Sequence, residues 1–276
     1  MKKIFKHEID GESRWFVLVS KTEQQPLHAT SFVIKPLIKE DTDEMCKLSQ
    51  EVYSHLRKDE KTFIHQHDNR HFSSVFNQQD IHYIGVFHNA KLIAMSYIKI
   101  CQNEKSFFEE IPSDAPPKIS PDYSVATFGG DCVHPDFRGN GLNQLMVNFR
   151  LHQAKKNGCS LSYSIIDRHN QWNMAPYFNN GFCMISSGID PNDQGKIAVM
   201  RHTPYLSPSK SNSDISIPFC KFEQIDALFK KRFIAYAYNP QNQHLIFTRI
   251  TPQRISTHCK FAELSTLNKR GEHTHV

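Results

Sequence analysis

Cys132-Val133-His134-Pro135-Asp136-Phe137-Arg138-Gly139-Asn140-Gly141-Leu142 is the stretch that decides how the rest of the chain is read. An extended run beginning at Tyr123 stops at Val133, because Pro135 has no N–H to offer a central strand. Two glycines follow, each free to adopt positive φ and to let a ligand come close to the backbone. The chain then enters a helix at once: Leu142, Leu145, Met146 and Phe149 recur at i, i+3, i+4 and i+7, and Gly158 closes the segment as a C-terminal cap. The first turn of any helix has unpaired N–H groups and carries about half a positive charge. Strand end, glycine turn and helix N-terminus together make a cradle for a pyrophosphate. Taken alone, Gly-x-Gly also fits an ordinary tight strand-to-helix connection.

Working outward, Trp15–Val19 and Phe32–Pro36 are expected as strands. A helix capped by Asp41 or Thr42 follows, with Met45, Leu48, Val52 and Leu56 on one face, and a second helical stretch lies near 69–76. Residues 81–88 and 92–101 alternate as a hairpin turned at Asn89-Ala90. Residues 102–121 read as an inserted polar loop carrying Glu104, Glu109, Glu110 and Asp114. Beyond the long helix come a strand at 161–166, a shorter helix at 169–179, and strands at 182–187 and 196–201. Pro176 removes an N–H from that shorter helix, which is expected to start late or to kink and so turn Tyr177 inward. A helix at 222–232 and a hairpin at 233–250 complete the pattern. The expected class is α/β, a mixed sheet with helices on both faces, plus a small C-terminal α/β appendage.

Residues 133–142, with Asn170, Tyr177 and Gly181-Phe182 downstream, resemble the GCN5-related N-acetyltransferase superfamily (GNAT). The resemblance spans roughly Phe32 to Arg201 and includes the order of strands and helices. It implies an acyl-CoA-dependent N-acyltransferase domain (31–203), preceded by an N-terminal strand extension (1–30). The prolines and serines between His202 and Pro218 read as a linker (204–218), and the excess of Lys/Arg beyond it marks a basic C-terminal appendage (219–276). The resemblance also implies acetyl-CoA as co-substrate and a primary amine, on a small molecule or a protein, as acceptor. Arg138, Gly139, Asn140, Gly141, Leu142, Asn143 and Gln144 would form the pyrophosphate cradle. Cys132 and Val133 would run beside the pantetheine arm, Asn170 would touch the cofactor, and Tyr177 would protonate the departing thiolate. Two positions depart from the family pattern: Asn143 replaces a small residue, and Ile165 stands where several members carry a glutamate base.

An attacking amine must be neutral, yet a lysine-like amine with a pKa near 10.4 is mostly protonated at pH 7. A base, or water leading to one, is therefore required. Asp131 and His134 are the nearest candidates, and Asp131 has the same strand parity as Val133. The alternatives are a solvated strand-end carboxylate, a turn histidine, and a Tyr177 that packs on the sheet. An acidic 102–121 loop facing the pocket would suit a cationic amine; a solvated loop is the plainer reading. A different class of function is a catalytically idle CoA-binding module whose appendage recruits a partner.

Composition narrows the field. Seven scattered cysteines without a C-x-x-C pair argue against a disulfide framework or a zinc knuckle. The sixteen histidines include no set with recognisable metal-ligand spacing, so no metal is expected. No apolar run approaches the roughly 20 residues of a membrane span, and the first ten residues lack the apolar block of a secretory signal. The expectation is a cytoplasmic protein with no membrane partner. Residues 205–276 hold ten Lys/Arg against five acids and carry the whole net charge of +5. That excess is modest, and the aromatics there fall at helix and strand spacings, which argues against nucleic-acid binding. The appendage leaves oligomeric state open, a dimer included.

Overall fold

The chain alternates short β-rich runs with amphipathic helices. In the computed structural model, residues 2–9, 12–19, 28–63, 66–101, 124–189, 196–202 and 213–249 are described. The strands are β1 (Lys2–Ile9), β2 (Glu12–Val19), β3 (His28–Pro36), β4 (Ile81–His88), β5 (Lys91–Cys101) and β6 (Val125–Val133). They continue with β7 (Leu161–Asp167), β8 (Cys183–Ile189), β9 (Lys196–His202), β10 (Ile215–Pro218), β11 (Phe233–Asn239) and β12 (His244–Arg249). The helices are α1 (Thr42–Ser54), α2 (Asn69–Val75), α3 (Leu142–Lys156), α4 (Gln171–Asn179) and α5 (Phe222–Lys230). Among the described residues the strands join in one sheet, ordered β1-β2-β3-β4-β5-β6-β7-β9-β8-β11-β12-β10. Its ladders are antiparallel except for β6 with β7, the parallel pair that needs the α3 crossover.

Helices cover both faces, as the class expected from the sequence requires. On one face α1 and α2 bury Met45, Leu48, Val52, Phe72 and Val75 against Tyr83, Phe87, Met95 and Cys132. On the other, α3 sets Leu142, Leu145, Met146 and Phe149 against Phe32, Ile34, Ile84, Val86 and Ala94. α4 and α5 share that second face, where Met174, Tyr177, Phe178 and Ile225 meet Phe128, Met184, Leu245 and Phe247. Burying each such side chain stabilises the fold by about 1.5–3 kcal/mol.

Local chemistry explains the boundaries. The β4–β5 turn holds Asn89 at φ 49° and Ala90 at φ 63°, the doubly left-handed turn that matches strand twist. α3 ends in a Schellman motif: Gly158 has φ 73°, its N–H bonds Lys155 O, and the Cys159 N–H bonds Ala154 O. Three expectations need correction. Neither Asp41 nor Thr42 caps α1 with its side chain: Asp41 stands at the N-cap position but its carboxylate accepts from the Ile38 N–H, and Thr42 is the first helical residue, its hydroxyl donating to Lys39 O. Leu56 lies beyond α1, which stops at Ser54. α4 begins at Gln171 and runs through Pro176 instead of starting late; nine residues packed on a core outweigh one missing hydrogen bond. The 102–121 loop lies outside the described residues.

Candidate active site

The site begins where the parallel ladder gives out. β6 pairs with β7 only from Val125 to Phe128, opposite Leu161 to Ser164. The buried Ser164 hydroxyl donates to Phe128 O at 3.0 Å and closes that end. Further on, β6 stays with β5 while β7 follows β9. The two strands thus part, leaving one edge of Gly129–Val133 without a strand neighbour among the described residues.

A β-bulge shapes that edge. Met95 faces Cys132 and Tyr97 faces Gly129, so Gly130 and Asp131 together oppose Ser96. Gly130 takes φ 64°, the left-handed residue that such a bulge uses. The Tyr97 ring lies across both glycines, and a β-carbon on either would collide with it. The extra residue resets the alternation: Phe128 and Asp131, three apart, both face the α3–α4 side. At the strand end, the His134 N–H bonds Ile93 O at 2.8 Å, so the Ala94–Val133 pair is of the non-hydrogen-bonded kind. The N–H and C=O of Val133 therefore point away from β5, into the opening. The carbonyl takes the Arg138 Nε–H at 3.4 Å.

Two helix N-termini stand at the mouth of this opening. Gly139 and Gly141 adopt φ 76° and 79°, and a β-carbon on Gly139 would meet nothing within 4 Å. Asn140 steadies the turn by donating to Phe137 O at 3.1 Å. The first helical bond of α3 runs from the Leu145 N–H to Gly141 O, leaving the N–H groups of Leu142, Asn143 and Gln144 without helical acceptors. Asn170 caps α4, its side-chain oxygen accepting from the Asn173 N–H at 3.1 Å. The Asn143 side chain does not enter the turn; it donates to Asn173 Oδ1 and ties the two N-termini together. An open glycine cradle below unpaired amides fits a pyrophosphate.

At the closed end lies a charged cluster withdrawn from water. Arg150 and Asp131 have side-chain exposures of 0% and 4%. The Arg150 Nη2 donates to Asp131 Oδ1 at 2.6 Å and to the Tyr177 hydroxyl at 3.3 Å. Its Nη1 reaches Tyr97 O (3.3 Å) and Gly129 O (3.4 Å), and its Nε reaches Met146 O (3.3 Å). The Tyr177 hydroxyl donates to Asp131 Oδ2 at 2.8 Å. Burial works against the charge on Arg150, but Asp131 and Tyr177 outweigh it and raise its pKa. Burial pushes the Tyr177 phenol far above its ordinary value, with Arg150 pulling it down and Asp131 pushing it up. Tyr177 is accordingly a neutral hydroxyl aimed at a carboxylate.

His134 lies elsewhere, on the α1 side. Its Nε2 is 2.8 Å from Glu51 Oε1 and 3.3 Å from Lys91 Nζ, and its Nδ1 accepts from the Asp136 N–H. Of the residues singled out from sequence, Asp131 and Tyr177 meet directly, while His134 joins neither. The Cys132 side chain is buried among the α1–α2 residues, leaving only its backbone near the opening. Burial pushes that thiol up to about 12, against Arg138 and with Asp131. Ile165 packs with Tyr163, Ile185 and Val199. The sequence reading missed Arg150, Glu51 and Ser164. Arg150 did leave a signal, a charged residue four positions after Met146 on the apolar stripe; Gly129-Gly130 inside a strand likewise marks a bulge. No group of three metal-ligating side chains occurs among the described residues.

The fold resembles several solved structures. They include an N-acetyltransferase from Staphylococcus aureus Mu50 (14% identity, covering 62% of this chain and 97% of that one, TM-score 0.46). An acetyltransferase of the GNAT family from Streptococcus pneumoniae is similar (13%, 62% and 99%, TM-score 0.47). So is the PaiA N-acetyltransferase from Thermoplasma acidophilum in complex with coenzyme A (14%, 62% and 98%, TM-score 0.44). No curated protein matches the sequence. The model of the Acetyltransferase (GNAT) family matches residues 42–182, just over half of the chain and the span that holds the bulge, the cradle and Tyr177. The chain belongs to the acetyltransferase (GNAT) family.

Proposed function

We propose that this protein is an N-acetyltransferase that moves an acetyl group from acetyl-CoA to a primary amine by direct attack. The observation that carries the reading is the parting of β6 from β7, which leaves the Val133 N–H turned into an opening flanked by two helix N-termini. Acetyl-CoA would supply an activated acyl carbon and a thiolate leaving group. The amides of Leu142, Asn143 and Gln144, with Gly139 and Gly141 below them, are suited to hold its pyrophosphate. The free edge at Asp131–Val133 is suited to an amide-rich arm, which would pair with it as a strand does. The Val133 N–H is a candidate donor to the thioester oxygen, whose charge grows during attack. Asn170 would contact the cofactor from the α4 side.

Tyr177 is proposed as the proton donor to the departing sulfur. In this structure the hydroxyl proton is held by Asp131 Oδ2, so the role requires the hydroxyl to turn from that carboxylate to the sulfur. The Arg150 charge offsets part of the burial that disfavours the phenolate left behind. Asp131 and His134 are both already engaged, the first by Arg150 and Tyr177, the second by Glu51 and the Asp136 N–H. We therefore assign them positioning roles and give the amine proton to water in the opening.

The test is release of free thiol from acetyl-CoA with a panel of primary amines, alongside the thermal shift that acetyl-CoA produces. Amine-dependent release, lost together with the shift in Gly141→Asp, supports the proposal. A shift without turnover on any amine would favour the second reading, a CoA-binding module without catalysis. Ile165, apolar where several relatives carry a base, is the feature that speaks for it.

A further inference from the structure

The turn between β7 and α4, which carries Asn170, is gripped from outside the family-matched stretch. Arg168 is 3% exposed and two residues before Asn170. Its Nη1 donates to Asp226 Oδ2 at 3.1 Å, and its Nη2 donates to Phe222 O at 2.8 Å and lies 3.0 Å from Asp226 Oδ1. The guanidinium also stacks 4.4 Å above the Phe222 ring. His169 meets the same ring edge-on at 5.1 Å. On the far side of Asn170, the Tyr238 hydroxyl donates to Gln171 Oε1 at 2.7 Å. Asp226 is itself fixed by the Ser187 hydroxyl.

Attachment of the C-terminal unit does not need these bonds. Phe219, Ile225, Leu245 and Phe247 already bury an apolar seam in the common core. An apolar seam is tolerant of small slides, whereas a two-pronged guanidinium–carboxylate pair has direction and fixes register. The polar groups reach Arg168 and Gln171, the two residues that bracket His169 and Asn170.

We propose that β10, α5, β11 and β12 form a built-in clamp that positions the Asn170 turn for acetyl-CoA, with Arg168–Asp226 as its latch and Tyr238–Gln171 as its second hold. The proposal rests on the acetyl-CoA reading above. With the latch released, α4 keeps its core contacts, but the turn gains freedom and the Asn170 side chain loses its fixed place. The consequence falls on cofactor affinity more than on the chemical step.

The test compares Asp226→Ala, Asp226→Glu and Tyr238→Phe with Phe229→Leu, which disturbs the α5 packing on Phe247 without touching the turn. Hydrogen exchange of the amides of residues 168–174 is measured without ligand, and KM for acetyl-CoA and kcat are measured separately. The expected result is faster exchange in Asp226→Ala, with KM raised about tenfold and kcat within about twofold. Tyr238→Phe should show the same in smaller measure, and Asp226→Glu should recover most of the loss. Phe229→Leu should lower Tm and change neither reading. Unchanged exchange in Asp226→Ala, an unchanged KM despite faster exchange, or equal effects from Phe229→Leu would each overturn the proposal. If the wild type does not bind acetyl-CoA yet Asp226→Ala loosens the turn, the clamp stands and the acetyl-CoA reading is what fails.

Discussion

Arg150 donates to Asp131 across 2.6 Å inside the protein, and the same guanidinium bonds the carbonyls of Tyr97 and Gly129, the register pair next to the bulge. One side chain thus neutralises the carboxylate, bonds the backbone of both strands beside the bulge and touches Tyr177. A buried pair of this kind is weak support for net stability, but removing one member leaves a stranded charge.

Arg150→Met is therefore expected to cost about 3–5 kcal/mol in urea unfolding. Asp131→Asn alone should also destabilise, since Arg150 then becomes the stranded charge. The double variant should lose clearly less than the two single losses summed, because no charge remains uncompensated. Strict additivity would mean that the pair is not coupled as the geometry says.

Tyr177→Phe removes the hydroxyl and keeps the ring against Phe182, whose centroid is 4.9 Å away. On the proposed mechanism kcat should fall about a hundredfold, while the acetyl-CoA thermal shift persists. The folded phenol titrates above its ordinary 10.0, so the wild-type rate should show no alkaline fall from Tyr177 at or below that pH. A kcat that survives the substitution would remove Tyr177 from the chemistry.

Gly139→Ala separates fold from ligand. The added methyl meets nothing within 4 Å, so the folding cost is the left-handed backbone alone, about 1–2 kcal/mol. The methyl would nevertheless stand in the cradle. We expect a small drop in Tm but loss of most of the shift given by acetyl-CoA, measured by thermal denaturation with and without it.

His202 packs on Phe182 at 5.2 Å, and burial lowers its pKa from 6.5. The unfolded chain binds this proton first as pH falls, so stability declines below about 6.5 until the folded pKa is reached; above 6.5 the group contributes nothing. His202→Phe should flatten the acid side of a Tm-against-pH curve between pH 7 and 5 and leave the neutral side unchanged in slope.

Much of this was legible in the chain itself. Leu142, Leu145, Met146 and Phe149 point one way on any helix, and Gly139 and Gly141 announce left-handed turns, because these are local rules of period and sterics. Asn170 and Tyr177 were singled out by the family resemblance and not by period, as letters of a motif that runs in order along the chain. Strand β1 and the short β10 were missed, since their partners β2 and β12 supply hydrogen bonds that no local pattern displays.

The long-range meetings belong to the tertiary structure alone. Asp131 was a plausible free base until the bulge at Gly130 set it beside Arg150, nineteen positions away, and Tyr177, forty-six away. Asn143 looked like a flaw in the cradle until Asn173 of another helix claimed its side chain. Arg168 was one unremarked cation until α5 arrived with Asp226. Backbone period and turn sterics act between neighbours in sequence, so the chain by itself determined the amphipathic helices, the alternating strands and the glycine turn, though not strands such as β1 and β10. The partner of a buried charge is whichever group folding carries to within about 3 Å of it, and only the packed structure decided that.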